Sequence, residues 1–196
     1  PLLRHHGGRA WPRASQLARD LRPLGVIAVP AILTQFATPL GQAYVTRSMA
    51  EFGEDAVAGM AIVGRITPVA FGVIFALSGA IGPIIGQNYG AGRHDRVQMA
   101  FREGLLFALA FTVGASLLLF LVRAPLAALF QAEGISLSLV YLFCGPLALA
   151  FYFNAVIFVA NSAFNNLGHP FYSTWVNWCR HTLGTIPFVL LGANLY

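Results

Sequence analysis

Long tracts without charged side chains constrain this sequence more than any other feature. Residues 23–46, 104–122 and 134–168 contain no Asp, Glu, Lys or Arg, and residues 56–92 contain only Arg65. Because an α-helix rises about 1.5 Å per residue, each tract can cross a hydrocarbon core about 30 Å thick. Charged residues make up 10% of the chain, whereas soluble domains carry about 25%. Lipid is therefore the expected solvent for most of the molecule.

Polar breaks between these tracts divide the chain into five predicted membrane helices. The strands of a membrane β-barrel would alternate apolar and polar residues over about ten positions, and these tracts are longer and do not alternate. We therefore predict an all-α integral membrane protein, in which a polar segment at 1–22 precedes a membrane domain at 23–196. The predicted helices cover about 23–46, 56–88, 97–122, 135–162 and 171–194.

The arginines indicate how the helices are oriented. The chain has twelve arginines and no lysine. If residues 1–22 are cytoplasmic, the inside loops hold most of them, Arg47 and Arg123 lie outside, and Arg65 and Arg180 lie within the membrane. This bias follows the positive-inside rule. It predicts a multi-pass membrane protein with residues 1–22 in the cytoplasm. We expect the membrane to be the cell (inner) membrane of a bacterium.

The stretch GPIIGQNYGAGRHDR at 82–96 has two possible interpretations, a phosphate-binding loop or the end of a membrane helix. A Walker A loop requires a lysine that this chain lacks, and the spacing does not fit a dinucleotide-binding fingerprint. Gly82, Gly86 and Gly90 recur every four residues, so they share a helix face that another helix can approach closely. Gly90 and Gly92 are predicted to end the helix with positive φ.

Other classes of function are not indicated. Cys144 and Cys179 lie in apolar tracts and are expected to be packing residues, and no Cys/His spacing suggests a metal site. The arginines do not form one patch with exposed aromatic residues, so no nucleic-acid partner is expected. No nucleophile–base pair is visible, so an enzyme is not expected.

Two motifs resemble those of the multidrug and toxic compound extrusion (MATE) transporters. The first comprises VAGMAIVGRI at 57–66 followed by the stretch at 82–96, and the second is AFNNLGHPFYSTWVNWCRHTLGTIP at 163–187. In the first, the positions that match the family pattern are Pro83, Gly86, Gln87, Asn88, Gly90, Ala91, Gly92 and Arg96. In the second, they are Phe164, Asn165, Gly168, Pro170, Arg180 and Pro187.

The resemblance implies an architecture of twelve helices in two pseudo-symmetric lobes. The loop at 47–55 and the Arg65 sequence are more similar to the C-terminal lobe, so the five helices would be the seventh to eleventh of the whole protein. Residues 1–22 would be the cytoplasmic linker between lobes, and the missing N-terminal lobe of the same polypeptide would be a partner of this partial C-terminal lobe. The implied activity is antiport, in which a small organic and often cationic compound leaves the cell as H⁺ or Na⁺ enters.

Such coupling needs a carboxylate within the membrane, where a charge is costly and usually functional. In one branch of the family, the helices that correspond to 23–46 and 135–162 hold acidic ligands. In this sequence the two predicted helices contain amides instead. These are Gln35, Gln42, Asn154 and Asn161. We therefore expect the coupling ion, H⁺ or Na⁺, to bind in the missing N-terminal lobe, and we expect no metal or other cofactor in this chain.

Polar residues within the membrane tracts are the candidates for the substrate cavity. They either line that cavity or form hydrogen bonds between helices, and the sequence leaves both alternatives open. The candidates are Thr34, Gln35, Thr38, Gln42, Asn154, Phe158 and Asn161. Arg65 and Arg180 are interpreted as structural tethers. Together with the residues of the two family motifs, they are expected to have a structural or gating role.

Two other functions are retained as alternatives. A flippase for lipid-linked saccharides, from the same superfamily, would be expected to carry several cationic residues around its cavity, and only Arg65 and Arg180 are available. A membrane scaffold without transport activity would need no carboxylate in either lobe.

Overall fold

The computed structural model describes the backbone of residues 14–195 and the side chains of residues 21, 24–26 and 28–191. Within this range the regular structure is entirely helical, which confirms the all-α prediction. The helices are α1 (Ala14–Ala50), α2 (Glu54–Gly90), α3 (His94–Leu129), α4 (Gly134–Leu142), α5 (Ala148–Asn166), α6 (Pro170–His181) and α7 (Ile186–Leu195).

Four helical segments are long and apolar enough to cross a membrane: Leu24–Ala50, Glu54–Gly90, His94–Leu129 and Gly134–Asn166. Large apolar side chains are widely exposed on them, as at Val69 and Leu121, which is the surface that lipid covers. The helices extend beyond the uncharged tracts because a helix can continue into the polar layers on either side of the hydrocarbon core. The chain is therefore a multi-pass membrane protein.

The tract predicted as a fifth helix at 171–194 differs from a single span. The structure divides it into α6 and α7, with a turn at 182–185 between them. The Thr182 hydroxyl donates to the Trp178 carbonyl over 2.7 Å, and the Thr185 hydroxyl donates to the Arg180 carbonyl over 3.0 Å. Pro187 lacks an N–H, which suits it to the first turn of a helix, where that donor would have no partner within the helix, and α7 begins at Ile186.

The span that includes α4 and α5 is also irregular. A π-helical turn at Phe143–Leu147 joins the two helices, and Gly145 within it adopts φ −96° and ψ −115°. Pro146 removes one backbone donor at this point. A wider turn is one of the local adjustments by which a helix absorbs such a break.

A second break occurs in α2, where Phe71 has the non-helical angles φ −115° and ψ 15° three residues after Pro68. Phe71 and Cys144 are fully buried in the same apolar cluster, together with Ala148. The bend of α2 and the π-turn therefore pack together in the core formed by α2, α3, α4 and α5.

Helix α1 packs mainly on α6, which connects it to α5. Residues 1–13 lie outside the described residues. The backbone of residues 14–22 is helical and continues without interruption into the membrane part of α1, so residue 22 is not a helix boundary. The assignment of 1–22 as an inter-lobe linker stays a prediction.

Candidate functional site

A cluster around Arg180 connects three helices. The Arg180 Nη1 atom donates to Asn154 Oδ1 on α5 over 2.8 Å, and its Nη2 atom lies 2.8 Å from His181 Nε2. The His181 ring in turn occupies the space beside Gly41 on α1 that a Cβ at that position would need. The cation that the sequence placed within the membrane thus has one polar partner on α5 and one on its own helix.

Hydroxyl groups form the seam between α1 and α6. Thr34 Oγ1 lies 2.9 Å from Thr174 Oγ1, and both hydroxyls are within 3.0 Å of the Pro30 carbonyl oxygen. The Trp178 indole N–H donates to the Leu33 carbonyl over 3.1 Å. The backbone of α1 is therefore fastened to α6 at successive turns.

A third polar contact joins α5 to α6. The buried Ser173 hydroxyl has two acceptors, the Asn161 carbonyl at 3.2 Å and Asn165 Oδ1 at 3.1 Å. The Asn161 side-chain oxygen is buried and has no hydrogen-bond partner among the described residues. An unpartnered amide oxygen is an acceptor available to a water or a ligand.

Phe158 belongs to an aromatic group between α2 and α5. Its ring centroid lies 5.1 Å from that of Phe75 and 6.5 Å from that of Phe151, and Phe151 stacks on Phe71 at 4.0 Å. Phe75 is exposed, so the group presents an aromatic surface. Because Phe158 follows Asn154 by four residues on α5, this surface lies about one helical turn from the Arg180 contact.

The remaining α1 candidates are not brought into this arrangement. Gln35 and Gln42 are exposed, Thr38 is half-buried, and none of the three has a hydrogen-bond partner within the described part of the chain. Gln35 lies in a shallow apolar depression with Ile32 and Phe36, on a different face of α1 from Thr34. The structure thus places Thr34, Asn154, Phe158 and Asn161 where helices contact one another. It leaves the two glutamines outside these contacts.

In the first motif, only part of the glycine row contacts another helix. A Cβ at Gly82 or Gly86 would approach Asn166 on α5, whereas nothing lies within 4 Å of a Cβ at Gly90.

Gly92 has φ 70° and ends α2, while Gly90 is helical, so the expectation of positive φ at both was wrong for Gly90. The Asn88 amide donates to Ile84 in its own helix. Pro83, Gln87 and Arg96 are not buried.

The second motif forms the α5–α6 turn. Gly168 has φ 83°, the His169 N–H donates to the Phe164 carbonyl over 2.9 Å, and Pro170 begins α6. A proline in the first turn is suited to a helix start. This turn sets the position of α6, and with it Arg180 and Thr174.

Several residues of the site were missed from the sequence. Ser173, Thr174 and Asn177 are buried on α6, and their spacing on an otherwise apolar and aromatic helix was an available signal. Ser78 and Ser162 exchange hydrogen bonds with the partner helix's backbone over 3.0 Å and 2.6 Å. Isolated serines carry no sequence signal that distinguishes this role.

No group of three or more His, Cys, Asp or Glu side chains that could hold a metal ion occurs in the part of the chain that the structure describes. The site offers amides, hydroxyls, aromatic rings and one guanidinium. Such groups can bind and orient an organic molecule by hydrogen bonding and stacking, and they supply no carboxylate of their own.

Several known proteins are similar to this chain in sequence or in fold. An uncharacterized 21 kDa protein of Pseudomonas savastanoi is 36% identical over 92% of this chain and 59% of its own length. An FAD transporter of Shewanella oneidensis is 31% identical over 88% of this chain and 38% of its own length. A crystal structure of a point mutant of the MATE transporter VcmN of Vibrio cholerae superposes with a TM-score of 0.88 at 24% identity, over 100% of this chain and 45% of the other.

A probable multidrug resistance protein NorM of Bradyrhizobium diazoefficiens is also similar, at 38% identity over 44% of this chain and 19% of its own length. The chain thus spans between about a fifth and three fifths of the curated relatives it matches. The MatE family profile matches residues 30–191. That match covers most of the sequence, and the chain therefore belongs to the MATE family of membrane transporters.

Proposed function

We propose that this chain forms part of the C-terminal lobe of a secondary antiporter that exports organic compounds in exchange for H⁺ or Na⁺. The observation that carries the proposal is the Asn154–Arg180–His181 cluster, which links α1, α5 and α6 near the aromatic group that includes the exposed Phe75 ring. In an alternating-access transporter, substrate binds near the membrane midplane between two lobes. A polar and aromatic surface at the junction of three helices suits that location.

The coupling carboxylate belongs, in this proposal, to the N-terminal lobe. The candidate spans from Leu24 to Asn166 contain acidic residues only within the first ten residues of α2 or α3, at Glu54, Asp55, Asp95 and Glu103. The cell (inner) membrane of a bacterium is the proposed location, with residues 1–22 in the cytoplasm.

An efflux assay on the complete protein tests the proposal. Cells that express it should lose preloaded ethidium faster when a proton or sodium gradient is present, and collapse of that gradient should abolish the difference. Asn154→Ala should slow efflux, while Arg102→Gln, at an exposed arginine of α3 outside both motifs, should not. Absence of gradient-dependent efflux of any tested compound, with the protein present in the membrane, would favour the scaffold alternative.

A second candidate substrate class is anionic. One relative is named as an FAD transporter, and the charge in the α5–α6 cluster of this chain is the Arg180 guanidinium, which suits planar anionic groups. If the substrate is a flavin nucleotide, flavin adenine dinucleotide should accumulate in the medium and should compete with ethidium. A flippase for lipid-linked saccharides receives less support, because its phosphates would call for more cations than Arg180 and Arg65 supply.

A further inference from the structure

A long groove lies between α2 and α3, away from the polar cluster on α5 and α6. Its volume is about 840 Å³, and its walls are formed by Arg65, Ile66, Val69 and Ala70 of α2 and by residues between Ala110 and Phe130. Apart from Arg65, all lining residues are apolar or glycine. Val69 and Leu129 on its walls are 86% and 74% exposed, so the groove is open to the lipid phase.

Arg65 at the edge of this groove has no partner in the part of the chain that the structure describes. It is exposed and makes no hydrogen bond, ion pair or ring contact there. Arg180 and Arg123, by contrast, are engaged. Arg180 donates to Asn154, and the Arg123 guanidinium lies 4.1 Å from the Phe120 ring centroid and 5.1 Å from that of Tyr141.

An anion would stabilise an unpaired guanidinium at this position. Arg65 lies eleven residues into α2, about 16 Å from the start of the helix, and a charge within the hydrocarbon layer is costly unless it is paired or reaches the interface. The arginine side chain is long enough to direct its head toward the headgroup layer while its stem stays on apolar surface. A guanidinium also matches a phosphate through two parallel hydrogen bonds.

We propose that the α2–α3 groove binds one anionic phospholipid, with its phosphate on Arg65 and an acyl chain along α3. The apolar walls provide the acyl-chain site, and Arg65 selects the anionic headgroup. A free phosphate would gain nothing from the apolar walls, and in a zwitterionic lipid the headgroup ammonium would offset the negative charge of the phosphate beside Arg65. The site is independent of the proposed transport function, since the groove shares no lining residue with the Arg180 cluster.

Native mass spectrometry of the purified full chain tests this proposal. The protein is released from a neutral detergent in the presence of equal amounts of phosphatidylglycerol and phosphatidylcholine with identical acyl chains. A charge of this kind near the surface contributes on the order of 1 kcal/mol, so we expect the wild type to retain phosphatidylglycerol with about a fivefold preference.

Two variants separate the headgroup from the acyl-chain site. R65Q should abolish the preference, whereas R96Q, which removes the same charge from an exposed position on α3, should keep it. G114L should lower retention of both lipids, because nothing lies within 4 Å of a Cβ at Gly114 and a leucine there can fill the groove without displacing another group. Circular dichroism and the melting temperature of each variant verify that it is folded.

Photolabelling locates the lipid directly. Phosphatidylglycerol with a photoreactive acyl chain should label peptides from residues 110–130, and inorganic phosphate should not compete. Equal preferences in R65Q and wild type would overturn the proposal, as would equal losses in R65Q and R96Q. Labelling concentrated on α1 or α6 would overturn it as well, and so would a groove in the complete protein that excludes lipid because another segment covers it.

Discussion

At the scale of single residues, the Asn154–Arg180 contact leads to a prediction about stability. Asn154→Ala removes the acceptor 2.8 Å from Arg180 Nη1 and leaves a half-buried charge with one partner fewer. Hydrogen bonds to charged groups contribute about 1.5–3 kcal/mol in soluble proteins and less within membranes, so we expect a loss of about 1–2 kcal/mol. Unfolding in mixed micelles measures this loss.

The matched control for that experiment is Asn88→Ala. The Asn88 amide donates only within its own helix, to the Ile84 carbonyl. A double-mutant cycle of Asn154→Ala with Arg180→Gln should give a coupling energy close to the single loss. Equal losses in the Asn154 and Asn88 variants, or no coupling to Arg180, would contradict the assigned contact.

A second residue-scale prediction concerns the end of α2. Gly92 has φ 70°, and the Arg93 N–H closes the turn on the Asn88 carbonyl over 2.9 Å. An alanine in this left-handed conformation costs about 1–2 kcal/mol. Gly92→Ala should therefore lower the free energy of unfolding. Gly90→Ala, at a helical position with open space around it, should raise it by about 0.5–1 kcal/mol, and the opposite order of the two variants would refute this account.

At the scale of elements, the spans were predictable because charge is excluded from the hydrocarbon layer, and the interruptions were not. The uncharged tracts located α1, α2, α3 and the α4–α5 segment to within a few residues at most ends. Gly145-Pro146 and the Gly184–Pro187 region carried a signal for local breaks, but a proline within a membrane tract does not show whether neighbouring groups will restore the helix. Thr182 and Thr185 satisfy freed carbonyls locally, and only the packed structure reveals this.

The candidate site was predictable to a similar extent. Asn154 and Thr34 were selected because they are polar within apolar helices, and the structure assigns them to contacts between helices. Gln35 met the same criterion but lies outside these contacts. The sequence could not show this, because a single sequence does not reveal which face of α1 is covered by α6. The hydroxyl partners on α6 were missed because serine and threonine are common enough in membrane helices to carry little information alone.

The close approach of α2 to α4 leads to a prediction at this scale. A Cβ at Gly59 would lie 2.8 Å from the Ser136 Cα and 2.9 Å from Leu139 Cδ1, so Gly59→Ala must push the two backbones apart. We expect a loss of about 1–3 kcal/mol, as for overpacking in a well-packed core. Gly64→Ala, five residues along the same helix with nothing within 4 Å of its Cβ, should be neutral or stabilising. Disulfide crosslinking between the ends of α2 and α4 would report the separation independently, and an unchanged crosslinking rate in Gly59→Ala would contradict it.

At the scale of the whole molecule, the arrangement of the helices across the membrane determines which surfaces meet which compartment. Helix α2 has 37 residues, so it is about 55 Å long and crosses the hydrocarbon core completely. The α1–α2 turn and the α2–α3 turn must therefore lie on opposite sides. Arg93, Arg96 and Arg102 follow the second turn, so by the positive-inside rule we expect that side to face the cytoplasm.

Cysteine labelling of intact cells tests this arrangement. In a background where the exposed Cys179 is replaced by Ser, Glu51→Cys should react with a membrane-impermeant maleimide and His94→Cys should not, until the membrane is made permeable. Both positions are exposed on the protein surface, so a difference in labelling reports the compartment rather than burial. Labelling of both from outside would mean that α2 does not cross the membrane, and labelling of His94→Cys alone would reverse the orientation. An inverted topology would also move the Arg65 lipid site from the outer to the inner leaflet, because Arg65 lies in the half of α2 nearer to Glu51.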